Sequence, residues 1–218
     1  MALIMHVSRA PRYEGITMED IKLMDSYFAW QYENAIGGRY RCDTFEEWCG
    51  HSESELPVVD IINYFKPFWV LRTKHREGLG PARVYSTIDF LGRFVRANPI
   101  YNWLYNNVLD NELDKEYHEI TKEQLETILN SCREVAKGIT LIAECDKKKT
   151  FMNQYTVDEE IAKRFLPTQT EQGAFFGPTE YDSFYATQIF NAIDIIDNIL
   201  NTTDFKKQSV YINFLISM

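Results

Sequence analysis

The sequence predicts a mainly helical domain with a minor β-sheet built from its two ends. Three observations lead there. Apolar residues recur at helical spacing in several capped stretches, most clearly over 121–138 and 185–200. Only the two termini, "ALIMHVSR" and "SVYINFLI", read as strands. There are no internal repeats and no Gly/Ser-rich linker, so the expectation is a single domain over 1–218.

Along the chain, "ALIMHVSR" is a first strand closed by a Pro-containing loop. Thr17 then caps a helix with Glu19 and Asp20 in its first turn, and "GG" at 37–38 stops it. "DTFEEWCG" is a short helix with Asp43 as cap, and "LPVVDIINYF" is another with Pro57 in its first turn. "EGLGP" is a turn or loop. "PIYNWLYNNV" starts a helix at Pro99. "TKEQLETILNSCREVAKG" carries a Thr121–Gln124 capping box, an apolar face of Leu125, Ile128, Leu129 and Cys132, and Gly138 as terminator. Residues 139–156 read as a strand or helical turn followed by a charged loop. "TVDEEIAKRFLP" is a capped helix stopped by Pro167. "GAFFGPTEYDSFY" packs five aromatic rings, two glycines and a proline ahead of the last long helix, with Thr179 as its expected cap and Asp182 reaching back. The tail is a final strand that can pair with the first.

Charge narrows the function classes. The formal net charge is -9 in 218 residues. Residues 1–110 carry 12 basic against 14 acidic groups; residues 111–218 carry 11 against 18. Such a surface repels a nucleic-acid backbone, so no direct nucleic-acid binding is expected. Residues 66–96 run the other way, with seven basic residues against Glu77 and Asp89. They form a charge complement for an anion or a solvated basic surface.

Cys42, Cys49, Cys132 and Cys145 form no C-x-x-C pair, which predicts reduced thiols in a cytoplasmic protein. The start has no signal-peptide pattern and no apolar run reaches membrane-spanning length. His6, His51, His75 and His118 lack partners at a recognisable catalytic spacing, and "HSESE" at 51–55 has no zinc-site pattern around it. No catalytic residues, metal or cofactor are therefore expected, and the enzyme question leans towards no.

Three motifs together resemble a widespread group of phage and prophage proteins. That group begins "MGLDMYL", has a central "YWRKANAIHKWF"-like segment, and ends "LLPTxxGFFFGSTDYDEWY" before a long helix. The corresponding stretches here are "MALIMHV", "FVRANPIYNWL" and "FLPTQTEQGAFFGPTEYDSFY". Asn98, Trp103, Leu166, Pro167, Gly177, Thr179, Tyr181, Asp182 and Tyr185 match. Ile4, Phe94, Val95, Tyr101 and Pro178 depart. The resemblance implies a phage origin and a place in the host bacterial cytoplasm, and it brings no activity with it.

Two functions follow as expectations. The first is a counter-defence protein that sequesters a nucleotide-derived signal without turnover. Arg93, Arg96, Asn98, Tyr101, Phe176, Thr179 and Tyr181 would line its pocket, the arginines pairing with phosphate and the aromatics stacking the base. The second is an acidic inhibitor that blocks a host defence protein such as a nuclease, using the carboxylates of 111–136 and 156–165. Self-association is open in both.

Overall fold

The computed structural model describes residues 2–12, 18, 21–22, 70–76, 80–86, 88–109, 117–145, 152–169 and 176–217. Eight strands and four helices are found among them. In chain order they are β1 (Ala2–Pro11), β2 (Val70–Arg76), β3 (Gly80–Ser86), β4 (Asp89–Val95), α1 (Asn98–Asn107), β5 (His118–Ile120), α2 (Lys122–Lys137), β6 (Ile139–Ala143), β7 (Gln154–Val157), α3 (Glu159–Phe165), α4 (Ser183–Thr202) and β8 (Gln208–Ser217).

This corrects the expected fold class. The protein is α+β, not mainly helical. The terminal strands do pair, but as the middle of a four-stranded antiparallel sheet in the order β4-β1-β8-β5. Two further two-stranded sheets, β2-β3 and β6-β7, complete the count. The missed strands lie mostly in 70–95, where charged residues interrupt the apolar alternation. A strand's stability resides in its cross-strand partners, which local sequence does not display. Gly80 and Pro81, expected in a turn, already belong to β3. The expected helices at 43–50 and 57–65, and Cys42 and Cys49, lie outside the described residues. Met18, Ile21 and Lys22 are helical, as the stretch after Thr17 predicts.

The chain divides into two compact units: residues 1–8, 90–205 and 210–218 in one, 9–89 and 206–209 in the other. In the second unit, β2 and β3 pair antiparallel from Val70↔Ser86 to Arg76↔Gly80. There Arg9 makes an ion pair of 2.9 Å with Asp89, and Arg12 Nε donates to Ser209 Oγ at 2.9 Å.

The first unit holds the apolar core. Leu3, Met5 and Val7 alternate inward from β1, and Val210, Ile212 and Phe214 do so from β8. The period of two puts each set on one sheet face. The α2 stripe of Leu125, Ile128, Leu129, Cys132 and Val135 meets the α4 stripe of Tyr185, Ile189, Ala192, Ile196 and Ile199, and both join that core. Packing leaves a small void of about 10 Å³ with an entirely apolar lining that includes Val7, Ile100, Ile128 and Ile212. Such a void stays dry and offers nothing to a polar ligand. Among the described residues, no helix is long and apolar enough to cross a membrane.

Candidate functional site

The first unit brings the central motif and the aromatic loop together. β4 ends at Val95, and Arg96 N–H donates to the Leu3 carbonyl at 3.0 Å, closing the strand edge. Arg96 then takes φ 55°, a left-handed conformation that a long side chain adopts only at a cost. This bend sends the chain from the sheet into α1. Gly177, at φ 104°, lies directly against the bend. A Cβ built there would stand 2.0 Å from the Arg96 carbonyl oxygen, so only glycine fits.

Around this contact the two segments interlock. The Tyr101 ring packs on Phe176 at 4.9 Å between centroids and edge-on against Phe214 at 6.1 Å. Asn98 Oδ1 accepts from Gln169 N–H at 2.6 Å, and Asn102 Nδ2 donates to the Pro167 carbonyl at 2.8 Å. Thr168 bridges to the loop: its hydroxyl donates to the Thr179 carbonyl at 2.9 Å, and its N–H to the Tyr181 hydroxyl at 3.3 Å. Tyr181 packs edge-on against Tyr185 at 5.0 Å, with Lys163 Nζ 5.4 Å from its ring centroid. The Tyr185 hydroxyl donates to the Leu166 carbonyl at 2.9 Å, and burial raises its pKa.

Of the seven residues expected to line a pocket, six thus gather here. Arg93 stands apart, exposed on β4, where burial of the His6 imidazole and, to a lesser degree, the Arg93 charge lower the pKa of His6. Tyr101 is 3% exposed, so its ring faces serve the core. Phe176, Thr179 and Tyr181 are half-buried. The expected cap is also corrected. Asp182, not Thr179, caps α4, accepting from Phe184 N–H at 2.8 Å and Tyr185 N–H at 3.0 Å. An Asx cap serves the second and third residues beyond it, and Asp182 has that spacing to helical donors once the helix begins at Ser183. Phe175 lies outside the described residues.

Electrostatics single out Arg96 and Asn98. Arg96 Nε and Asn98 Nδ2 are buried without a hydrogen-bond partner, and Asn98 is 1% exposed. One further side-chain atom among the described residues, Thr203 Oγ1 beyond the end of α4, shares that state. Buried polar groups without partners are uncommon in folded proteins. Both were expected pocket residues, Arg96 within the basic stretch 66–96 and Asn98 in the central motif; burial adds that each carries an unpartnered donor.

Burial pushes the Cys132 thiol up to about 12, so it stays protonated at neutral pH. Among the described residues, no group of three or more His, Cys, Asp or Glu side chains is placed to hold a metal ion. No protein-family model, curated protein or solved structure matches this chain.

Proposed function

We propose that this protein binds a small anionic molecule at the junction of the 93–103 segment and the 176–182 loop. We read that molecule as a nucleotide-derived signal of host defence, held without turnover, because an anion seat in an aromatic-rich corner suits a phosphate joined to a base. One observation carries the reading. Arg96 is kept at φ 55° by the Gly177 contact, with its guanidinium lacking an ion-pair or hydrogen-bond partner among the described residues. Backbone strain around an unpaired cation is costly for a structural joint, and such strain concentrates at binding sites. Phe176, next to Gly177 in the chain, and Tyr181 in the same loop are partly exposed and supply aromatic surface.

The acidic-inhibitor reading gains less support. Carboxylates on α2 and α3 are matched by cations at helical spacing, as in Lys122–Glu126 and Lys163–Glu159, and Arg133 of α2 pairs with Asp197 of α4. These pairs neutralise part of the acidic surface.

The test is a thermal-shift screen of the whole chain against ATP, NAD, ADP-ribose and cyclic mono- and oligonucleotides. A ligand at about 100 times its Kd adds roughly 2.7 kcal/mol, a rise of a few degrees in Tm. The expected result is a rise with at least one of them, lost in Tyr181→Ala. Absence of any shift would sink the reading and move attention to a protein partner, sought by pull-down from host lysate.

A further inference from the structure

We infer that the N-terminus of α1 is a phosphate seat, in which Arg96, Asn98 and the first helical turn surround one tetrahedral oxyanion. The inference rests on the small-molecule reading above and names the chemical group that the site grips.

The start of α1 is unlike that of the other described helices. α2, α3 and α4 each have a side-chain oxygen accepting first-turn N–H groups, from Thr121, Asp158 and Asp182. α1 spans ten residues, yet its N-cap is Ala97, no side chain caps it, and its first turn holds no acidic residue. Ala97, Asn98, Pro99 and Ile100 are all buried. Pro99 has no N–H and the Tyr101 N–H is bonded to the Ala97 carbonyl, so the backbone donors this turn can offer are those of Asn98 and Ile100, at the positive end of the helix dipole.

Asn98 supplies the independent observation. Its Oδ1 is committed to Gln169 N–H, which fixes the amide orientation and leaves Nδ2 as the free end. As the first residue of α1, it projects towards the N-terminal end, because every Cα–Cβ bond in a helix tilts that way. Two residues earlier, Arg96 contributes a second unpartnered donor, its Nε. Both unpartnered side-chain atoms found at this corner among the described residues are therefore donors. Donors repel a cation, and an oxygen-rich anion answers both. The edge of a guanidinium formed by Nε and one Nη is the fork that grips two oxygens of a phosphate, while Asn98 and the helix address a third. Arg96 is partly exposed, so the same side chain leads from solvent to the seat.

The experiment uses the full chain and inorganic phosphate as probe, at constant ionic strength with chloride exchanged, read by isothermal titration and by Tm. Two variants keep the fold in view. Arg96→Asn removes the guanidinium with a residue that tolerates a left-handed φ. Asn98→Asp keeps the acceptor for Gln169 and places a resident negative charge where the ligand's would sit. Saturable phosphate binding is expected, with a Kd at least about tenfold weaker in both variants, the worth of one charge-assisted hydrogen bond. The Tm of Asn98→Asp should not fall. No saturable binding at millimolar phosphate, or binding that both variants retain, overturns the seat. Nucleotide binding that phosphate does not compete with and Arg96→Asn does not weaken also overturns it, while leaving the small-molecule reading intact. Phosphate binding with no nucleotide binding supports the seat and retires the nucleotide reading instead.

Discussion

Two helix starts in this molecule solve the same problem in opposite ways. Both α1 and α4 follow an irregular segment and lead an apolar face into the core. At α4 the chain supplies an acceptor: the Asp182 carboxylate takes the N–H groups of Phe184 and Tyr185. At α1 the chain supplies Ala97, which has no side-chain oxygen, and adds two more donors in Arg96 and Asn98. A helix start that needs only to hold its place is closed by the cheapest local oxygen. One that stays buried and donor-rich is where the proposed oxyanion would sit. The aromatic loop serves both ends, since Gly177 contacts Arg96 and Asp182 caps α4 five residues later.

The contrast can be broken most forcefully at Gly177. Gly177→Ala places a methyl group against the Arg96 carbonyl at a φ that L residues avoid. Urea denaturation should show a loss of about 3 kcal/mol or more, larger than any cap substitution. A loss below about 1 kcal/mol would mean that the loop and α1 are not clamped there. Asp182→Ala comes next. It strips the α4 cap and should cost about 1–2 kcal/mol, whereas Asp182→Asn should cost little.

Asn98→Asp should act in the opposite direction. It places a negative charge in the first turn of α1, at the positive end of the helix dipole, and a Tm rise corresponding to about 0.3–1 kcal/mol at neutral pH is expected. A marked fall in Tm would show that this corner does not favour negative charge. The smallest effect concerns His6. Its lowered pKa means that the folded protein resists protonating it. Above the ordinary value of 6.5 the imidazole is neutral in both states and contributes no pH dependence. Below it the unfolded chain takes up the proton first, so stability falls as pH drops. His6→Gln should flatten the slope of Tm against pH below about pH 6.5, and an unchanged slope would assign the dependence to other groups.

Much of the scaffold was legible in the sequence. The β1 alternation, the Thr121–Gln124 capping box, the Pro99 start of α1 and the α4 stripe all appear where their spacing places them. These are signals between residues within four positions of each other, or periodicities of one continuous segment, and local sequence contains them in full. The strands β2, β3 and β4 were not legible: β4 pairs with β1, about eighty residues away, and β2 and β3, although joined by a short connection, carry charged residues that interrupt the apolar alternation. The α4 cap was misplaced from Asp182 to Thr179, because both residues have capping chemistry and only the backbone path decides which one reaches the first free N–H groups.

The candidate site divides along the same line. Sequence by itself determined which residue types meet there: arginine and asparagine ahead of a proline-started helix, and glycines and aromatics ahead of another. Tertiary structure alone decided that Gly177 touches Arg96, that Arg96 bends left-handed, that Tyr101 turns into the core, and that two donors are buried without acceptors. Hydrogen-bond satisfaction is set by which distant segment covers a group and excludes water from it, and no pattern of neighbouring residues encodes that.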